Sequence, residues 1–246
     1  MSTASQHTVI ITGASSGMGL ALARAFLARG SNVVGNARTT ERLQQAWHAL
    51  GSPDNFLGVA GDIALPETAQ QLFAQATARF GAVDVLVNNA GIFNPKPITQ
   101  YSSDEIDALI NTNLRGFVYP AQQAARHMSE RKRGSIINIT ASLAMQPNVN
   151  VPASVPLLIK GGLNHATKAL AIELAAHNVQ VNAVAPGIID TPLHTPETHE
   201  FLKTMQPAGH IGHVDDIVAA VLYLADARFV TGVVLPVDGG MSAGKW

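Results

Sequence analysis

A glycine-rich turn lies near the start of the chain, directly after a short apolar run. It reads Thr12-Gly13-Ala14-Ser15-Ser16-Gly17-Met18-Gly19. Glycines permit a tight turn and let the backbone approach a phosphate, while free amides at the start of a following helix attract the anion. A glycine loop alone is a weak signal, but this one separates the first predicted strand from the first predicted helix. The pattern therefore predicts a pyrophosphate-binding turn of a dinucleotide site.

The end of the second predicted strand indicates which dinucleotide is bound. An NAD-preferring protein usually has a carboxylate there for the ribose 2′-hydroxyl, whereas this chain has Ala37 followed by Arg38. A carboxylate would repel a 2′-phosphate, and a guanidinium can donate two hydrogen bonds to it. We therefore expect NADP(H) as the cofactor. The alternative interpretation is that Arg38 is a solvated surface residue.

Strands and helices alternate along the whole chain, with short connections. Apolar runs predict strands at 8–12, 32–35, 56–60, 83–87, 134–139, 179–184 and 233–237. Helical spacing predicts helices at 20–28, 40–50, 68–80, 103–130, 158–177 and 215–225. This order is typical of a doubly wound α/β fold with a mostly parallel sheet. Because no linker or repeat interrupts it, we expect a single domain over residues 1–246.

The composition limits the classes of function. Hydrophobic residues make up 47% of the 246, charged residues 13%, and the formal net charge is −1. Scattered Lys and Arg argue against a nucleic-acid or anionic-membrane partner. The absence of cysteine excludes disulfides and thiolate metal sites. We find neither an apolar signal region nor a run long enough to span a bilayer, so we expect a cytoplasmic protein.

Further short motifs follow the glycine turn in a fixed order. They are Asp62, Asn88-Asn89-Ala90-Gly91, Asn113, Pro186-Gly187 with Thr191, and Val237-Asp238-Gly239-Gly240. Together with the spacing T-G-x-x-x-G-x-G, this order resembles the short-chain dehydrogenase/reductase family along nearly the whole chain. The resemblance implies a seven-stranded parallel sheet, hydride transfer between NADP(H) and a small carbonyl or alcohol substrate, and a homo-oligomer, either a tetramer or a dimer.

The resemblance also implies the cofactor contacts. Asp62 and Ile63 would frame the adenine, the residues after the fourth strand would line the ribose, and those after the sixth would hold the nicotinamide. The full expected set is Gly13, Ser15, Ser16, Gly17, Met18, Gly19, Arg38, Asp62, Ile63, Asn89, Ala90, Gly91, Thr140, Lys160, Pro186, Gly187, Ile189 and Thr191. The alternative for the asparagines is a turn stabilised by side-chain hydrogen bonds to the backbone, and both roles can coexist.

One member of the family's catalytic set is missing. Relatives carry Asn, Ser, Tyr and Lys, with the Tyr four residues before the Lys. Asn113 and Lys160 take the Asn and Lys positions, but Pro156 stands four residues before Lys160. Proline has no titratable proton and no backbone N–H. With Ser154 as the N-cap, it instead predicts a regular helix start.

The serine position is also ambiguous. Counting from Asn138, the usual register lands on Ala141, with Thr140 and Ser142 on either side. A local bulge would bring Ser142 inward, so we favour Ser142 as the group that orients the substrate oxygen, with Thr140 second. The alternative is that both hydroxyls only terminate the strand.

Two functions fit these residues. The first is an NADP(H)-dependent oxidoreductase whose proton comes from water, Lys160, or one of two histidines, His194 and His199. The second is a catalytically silent NADP-binding sensor or scaffold protein. The histidines lie in residues 188–213, here called the lid segment, which has no clear periodicity and is expected to close over substrate or to be mobile. Its four histidines match no compact ligand spacing, so no metal is expected. Apolar residues expected to face the substrate are Phe93, Leu143, Met145 and Leu193.

Overall fold

Seven parallel strands form the central sheet. The structure, a computed structural model, describes residues 7–194 and 196–244. The strands are β1 (Thr8–Ile11), β2 (Asn32–Ala37), β3 (Phe56–Ala60), β4 (Val85–Asn88), β5 (Gly134–Ile139), β6 (Val179–Pro186) and β7 (Val234–Val237). Their order across the sheet is β3-β2-β1-β4-β5-β6-β7, and every neighbouring pair is parallel. The predicted α/β fold with a seven-stranded parallel sheet is confirmed.

Helices cover both faces of this sheet. They are α1 (Gly17–Ala28), α2 (Thr40–Ala49), α3 (Pro66–Phe80), α4 (Ser103–Leu109), α5 (Gly116–Arg131), α6 (Ser154–Ala175), α7 (His199–Lys203) and α8 (Val214–Asp226). Apolar residues of α1 and α8 pack on one face, and those of α3, α5 and α6 pack on the other. None of the described helices is long and apolar enough to cross a membrane.

Alternation along the strands explains the two apolar layers. In β1, Val9 and Ile11 belong to the layer under α1 and α8, whereas Ile10 belongs to the opposite layer. Successive side chains of a strand point to opposite faces, so a strand covered on both sides needs a continuous apolar run. This is why the strands could be predicted to within a few residues of their ends.

The helix predicted over 103–130 is not continuous. A π-helical turn over Ile110–Arg115 separates α4 from α5. Helical periodicity in the sequence does not reveal one inserted residue, so the prediction of a single helix was wrong at this point. Such turns are frequent at functional sites, and this one carries Asn113.

The start of α6 also differs from the prediction. Ala153 is the N-cap, and within the described chain no side chain caps this helix. Ser154 therefore lies inside the first turn, and the prediction that its hydroxyl caps the helix was wrong. Pro156 is the third helical residue, where a missing N–H breaks no intrahelical hydrogen bond. The helix start is regular without a side-chain cap.

The lid segment is more ordered than its sequence suggested. It contains a short 3₁₀ turn at Pro196–Thr198, followed by α7. The buried side chain of Gln206 accepts a hydrogen bond from the Ile188 amide (3.1 Å) and donates one to the His210 carbonyl (2.7 Å). These bonds join the two ends of the lid segment.

The strand order reverses between β1 and β4. From β1 the chain builds outward to β2 and β3, then returns to β4 on the other side. In doubly wound sheets this reversal leaves a crevice beyond the carboxyl ends of the two strands, where ligands bind. The glycine turn follows β1, and Asn89 follows β4, so both lie at the crevice.

Candidate active site

The glycine turn leaves no room for side chains at its crowded points. Gly13 and Gly17 have positive φ angles of 67° and 52°. A Cβ on Gly19 would lie 2.1 Å from the Gly13 carbonyl oxygen, so no other residue fits at position 19 without movement of the backbone. Ser16 is the N-cap of α1, and in the described chain its side chain does not cap the helix. The first amides of α1 therefore face the crevice as a potential anion site.

Thr12 joins the glycine turn to the segment after β4. Its hydroxyl accepts hydrogen bonds from the amides of Asn89 and Ala90, both at 3.0 Å. The Asn89 side chain donates to the Thr12 carbonyl at 2.9 Å and to the Gly13 carbonyl at 3.2 Å. The turn-stabilising role considered for this asparagine is thus present, and the residue also lines the site cavity described below.

Arg38 lies at the same edge of the sheet as the glycine turn. The Ala14 amide donates to the Asn36 carbonyl (2.9 Å), which ties the glycine turn to the end of β2. The Asn36 side chain donates to the Gly61 carbonyl at 3.1 Å and so brings Asp62 to this edge. Arg38 is exposed, and no carboxylate in the described chain forms an ion pair with it. Its guanidinium is available to an anionic ligand.

A cavity of about 410 Å³ opens next to these motifs. Strand ends, the start of α6, the lid segment and the C-terminal segment all contribute to its wall. The lining residues are Met18, Asn89, Gly91, Ile92, Phe93, Ile139, Thr140, Ala141, Ser142, Leu143, Lys160, Pro186, Gly187, Ile188, Leu193, His194 and Met241. Most of these side chains are apolar, which suits a ligand with an apolar body and a few polar groups.

Ser142 and Thr140 have different surroundings although both line the cavity. The Thr140 hydroxyl donates to the Val184 carbonyl on β6 at 3.3 Å. The Ser142 hydroxyl is fully buried, and its contact in the structure is the Met241 sulfur at 3.4 Å. A thioether is a weak acceptor, so a ligand oxygen would compete well for Ser142. A 3₁₀ turn over Ser142–Ala144 begins at this serine, where we had expected a bulge.

Lys160 is a buried cation in the cavity wall. It is 7% exposed, and its Nζ donates to the Ile139 carbonyl at 2.9 Å. Burial lowers the pKa of Lys160 from 10.5 to about 8. A Cβ placed on Gly91 would lie 3.2 Å from this Nζ, so the amine lies directly beside the segment after β4.

Asn113 reaches the same segment from the π-helical turn. Its Oδ1 accepts from the Ile92 amide and its Nδ2 donates to the Ile92 carbonyl, both at 2.9 Å. A Cβ on Gly91 would lie 2.9 Å from Asn113 Oδ1. Asn113, Gly91 and Lys160 are therefore neighbours, with Asn113 fixing the backbone beside the amine.

Pro156 lies one helical turn before Lys160 on α6 and is buried. Residues four apart share a helix face, so this is the place from which a side chain would reach toward the lysine. None of the three tyrosines, all of which are described, lines the cavity. Tyr101, for example, donates its hydroxyl to the Asn94 carbonyl. The structure thus places no phenol beside Lys160.

The lid segment brings one histidine into the cavity. His194 lines it, and burial, followed by the charge of His199, lowers the pKa of His194. His199 instead lies 3.6 Å from the Asp190 carboxylate. Thr191 lies against the glycine turn, 3.7 Å from where a Gly17 Cβ would be. Within the described ranges, no three His, Asp or Glu side chains come together as metal ligands.

Some residues differ from their expected places, and others were missed. The Ile189 side chain belongs to the apolar layer under α8, whereas its neighbour Ile188 lines the cavity. Met145 is exposed and does not line the cavity. Met241, 3% exposed, closes the cavity beside Ser142. No local pattern marks Met241, because the fold alone brings the C-terminal segment to this wall.

Known proteins share both the sequence and this architecture. A family model described as enoyl-(acyl carrier protein) reductase matches residues 13–242. The 3beta-hydroxysteroid dehydrogenase 1 of Eggerthella lenta is 36% identical over 254 aligned positions, which cover 96% of this chain and 93% of that protein. The chain belongs to the short-chain dehydrogenase/reductase family.

Two solved structures of family members show nicotinamide cofactors in this fold. ElxO with NADP bound has a TM-score of 0.91 at 29% identity, covering 97% of this chain and 100% of that one. The 3-ketoacyl-(acyl-carrier-protein) reductase from Brucella melitensis, complexed with NADH, has a TM-score of 0.90 at 32% identity. That match covers 96% of this chain and 98% of the reductase. These relatives are oxidoreductases, and this chain belongs to the same class of enzyme.

Proposed function

We propose that the chain is an NADP(H)-dependent oxidoreductase that interconverts a carbonyl compound and a secondary alcohol. The observation that carries the proposal is the meeting of the Ser142 hydroxyl and the Lys160 amine in one apolar cavity beside the glycine turn. A buried donor pair of this kind suits an oxygen that changes charge during the reaction.

The glycine turn fits a dinucleotide. Its positive φ angles and the lack of space for a side chain at Gly19 favour glycine and expose the backbone at the start of α1. Ser15 to Gly19 would hold the pyrophosphate through their amides, and Asn89 to Gly91 would line the ribose. Pro186, Gly187 and Thr191 would hold the nicotinamide end, which supplies or accepts the hydride when bound.

Arg38 supports NADP(H) over NAD(H). The two solved neighbours carry different cofactors, so they do not decide between them. The exposed guanidinium at the end of β2, with no ion-pair partner in the described chain, is suited to a 2′-phosphate. Titration calorimetry with NADPH and NADH tests this, and tighter binding of NADH by the unmodified protein would show that the preference is wrong.

In the proposed reaction, the chain's own residues position the oxygen and control its charge. Ser142 would donate a hydrogen bond to the substrate oxygen in place of its weak contact with Met241. Asn113 would hold the backbone at Ile92, and the positive charge of Lys160 would stabilise an alkoxide. The apolar wall, including Phe93, Leu143 and Leu193, would exclude water and accept an apolar substrate body.

A second candidate is a catalytically silent NADP-binding sensor or scaffold protein. Pro156 favours it, because the position one turn before Lys160 offers no proton. Purified protein mixed with NADPH and a panel of ketones, aldehydes and quinones separates the two by absorbance of the reduced nicotinamide. Turnover that Lys160→Ala removes and Lys168→Ala keeps supports the oxidoreductase; Lys168 is exposed on the same helix. Tight NADPH binding without turnover supports the sensor, and no nucleotide binding refutes both.

We also propose that the chain assembles as a homo-oligomer, a dimer or tetramer. β7 lies at the edge of the sheet, and Phe229 just before it is fully exposed. Light scattering after size-exclusion chromatography measures the mass, and a monomer at micromolar concentration would contradict the proposal. A cytoplasmic location stays a prediction.

A further inference from the structure

Lys160 has donor capacity that the protein does not use. An ammonium carries three N–H groups, and the bond found in the described chain is the one to the Ile139 carbonyl. The Nζ lies beside Gly91, 3.2 Å from where a Cβ would be, and both residues line the cavity. The remaining N–H groups are thus available to a ligand atom in the cavity.

The charges around this amine are few. β5, the turn at Ser142, the segment after β4 and the π-helical turn present only carbonyl, hydroxyl, amide or apolar groups to the site. The other titratable side chain in the cavity wall is His194, from the lid segment, with Asp190 and His199 next to it. Without a carboxylate partner, the burial that lowers the pKa of Lys160 to about 8 makes its ammonium an acid suited to neutral pH.

Pro156 and Ser142 differ in what they can offer a substrate oxygen. Pro156 cannot give a proton, while the buried Ser142 hydroxyl can hold the substrate oxygen in the same cavity as the amine. The Thr140 hydroxyl already donates a hydrogen bond to the Val184 carbonyl on β6. Among the described residues, the titratable side chains that line the cavity are Lys160 and His194. Burial lowers the pKa of His194 from its ordinary value, which leaves its ring mostly neutral at neutral pH. Lys160 is the more deeply buried of the two and is held by the strand end that carries Ser142.

We propose that Lys160 itself exchanges the proton with the substrate oxygen. This inference rests on the proposed oxidoreductase function. In the reduction, the carbonyl carbon gains the hydride from the reduced nicotinamide and the C=O π pair moves to oxygen. The oxygen takes a proton from the Lys160 ammonium, giving the alcohol, the oxidised cofactor and a neutral amine, which regains its proton from water. In the oxidation, the neutral amine takes the hydroxyl proton.

The first test measures the ionisation of Lys160 in the cofactor-free protein, without any turnover. Competitive labelling with acetic anhydride between pH 6 and 11, read by mass spectrometry, follows the reactivity of Lys160 with Lys168 as the exposed reference. We expect a midpoint near 8 for Lys160, below the ordinary lysine value of about 10.4. A Lys160 midpoint equal to or above that of Lys168, or no labelling of Lys160 at any pH, would overturn the proposal.

The second test replaces the amine. Lys160→Ala should lower kcat for reduction by about 10²–10⁴-fold, the usual effect of losing a general acid. NADPH binding, measured by calorimetry, shows whether the cofactor site survives. Added methylamine, ethylamine and fluorinated ethylamines should restore kcat to an extent that follows the pKa of each amine. Failure of every amine to restore turnover in a variant that still binds NADPH would contradict direct proton transfer.

The pH profile distinguishes Lys160 from His194. In the unmodified protein, kcat for reduction should fall as the pH rises through about 8, because the ammonium loses its proton. His194→Gln should keep this decrease and Lys160→Met should lose it; the opposite result assigns the proton to the histidine and overturns the proposal. One further outcome separates the two claims: NADPH binds, no substrate is turned over, and Lys160 still labels with a midpoint near 8. That result would refute the oxidoreductase function but leave the lowered pKa of Lys160 confirmed.

Discussion

Replacing Lys160 with methionine should stabilise the cofactor-free protein at neutral pH. The folded protein holds the ammonium at 7% exposure without an anionic partner in the described chain, whereas the unfolded chain hydrates it. A decrease in pKa from 10.5 to about 8 corresponds to about 3 kcal/mol of unfolding free energy. Leaving the Ile139 carbonyl without its donor costs about 1 kcal/mol. The net gain is about 2 kcal/mol, or about 4–8 °C in Tm for a domain of this size.

The sign of this effect depends on pH in a defined window. The folded pKa of Lys160 is below its unfolded value, so below about pH 8 the folded state carries the full penalty of a buried charge. Between about 8 and 10.5 the folded protein releases its proton first, and the unmodified protein gains stability from this group as the pH rises. Above 10.5 the penalty is gone. The advantage of Lys160→Met should therefore shrink across this window and turn into a net loss of about 1 kcal/mol above it, where only the missing donor to the Ile139 carbonyl remains.

Urea unfolding at pH 7, 9 and 10.5, followed by circular dichroism, measures the effect. Lys168→Met, on the exposed face of the same helix, is the matched control and should change the unfolding free energy by less than about 0.5 kcal/mol. If Lys160→Met is destabilising at pH 7, or its effect is the same at all three pH values, the description of Lys160 as an unpaired buried cation is wrong.

Three further substitutions test the cofactor and substrate contacts. Arg38→Asp should weaken NADPH binding by more than about 10-fold and favour NADH, since charge-assisted hydrogen bonds contribute about 1.5–3 kcal/mol; calorimetry measures both constants. Ser142→Ala should lower kcat by about 10²–10³-fold with little change in NADPH affinity, as seen when one donor to a developing oxyanion is removed. Gly19→Val should abolish NADPH binding, because its Cβ would meet the Gly13 carbonyl at 2.1 Å. An unchanged dissociation constant would refute the assignment of the glycine turn as the pyrophosphate site.

The sequence predicted most of the fold because local patterns determine it. Buried strands such as β5 need apolar residues on both faces, and Gly134–Ile139 was predicted with the observed bounds. The π-helical turn and the true cap of α6 were not predicted. An inserted residue leaves the periodicity of 110–115 nearly unchanged, and Ala153 has no capping side chain to detect.

The candidate site was predictable where motifs are contiguous and less so where distant segments meet. The glycine turn came from its composition and its place in the sequence, whereas Asn113, Ser142 and Lys160 came from the resemblance to the family. The structure brings the latter three to the segment after β4 or to the cavity. Met241 could not be predicted, since 99 residues separate it from Ser142. The surroundings of Lys160 likewise depend on burial, which only the packed chain determines.

Because a π-helical turn lies between α4 and α5, the number of residues in this part of the chain matters for the site. Deleting one residue within 110–115 would allow an ordinary α-helix to run through, with better backbone hydrogen bonding. Because the π-helical turn absorbs one extra residue, α5 would keep nearly its present phase relative to α4, and the change would fall on the turn that carries Asn113. Both bonds between Asn113 and Ile92 depend on the present shape of that turn. A shorter and more regular chain would thus lose the support of the backbone beside the lysine.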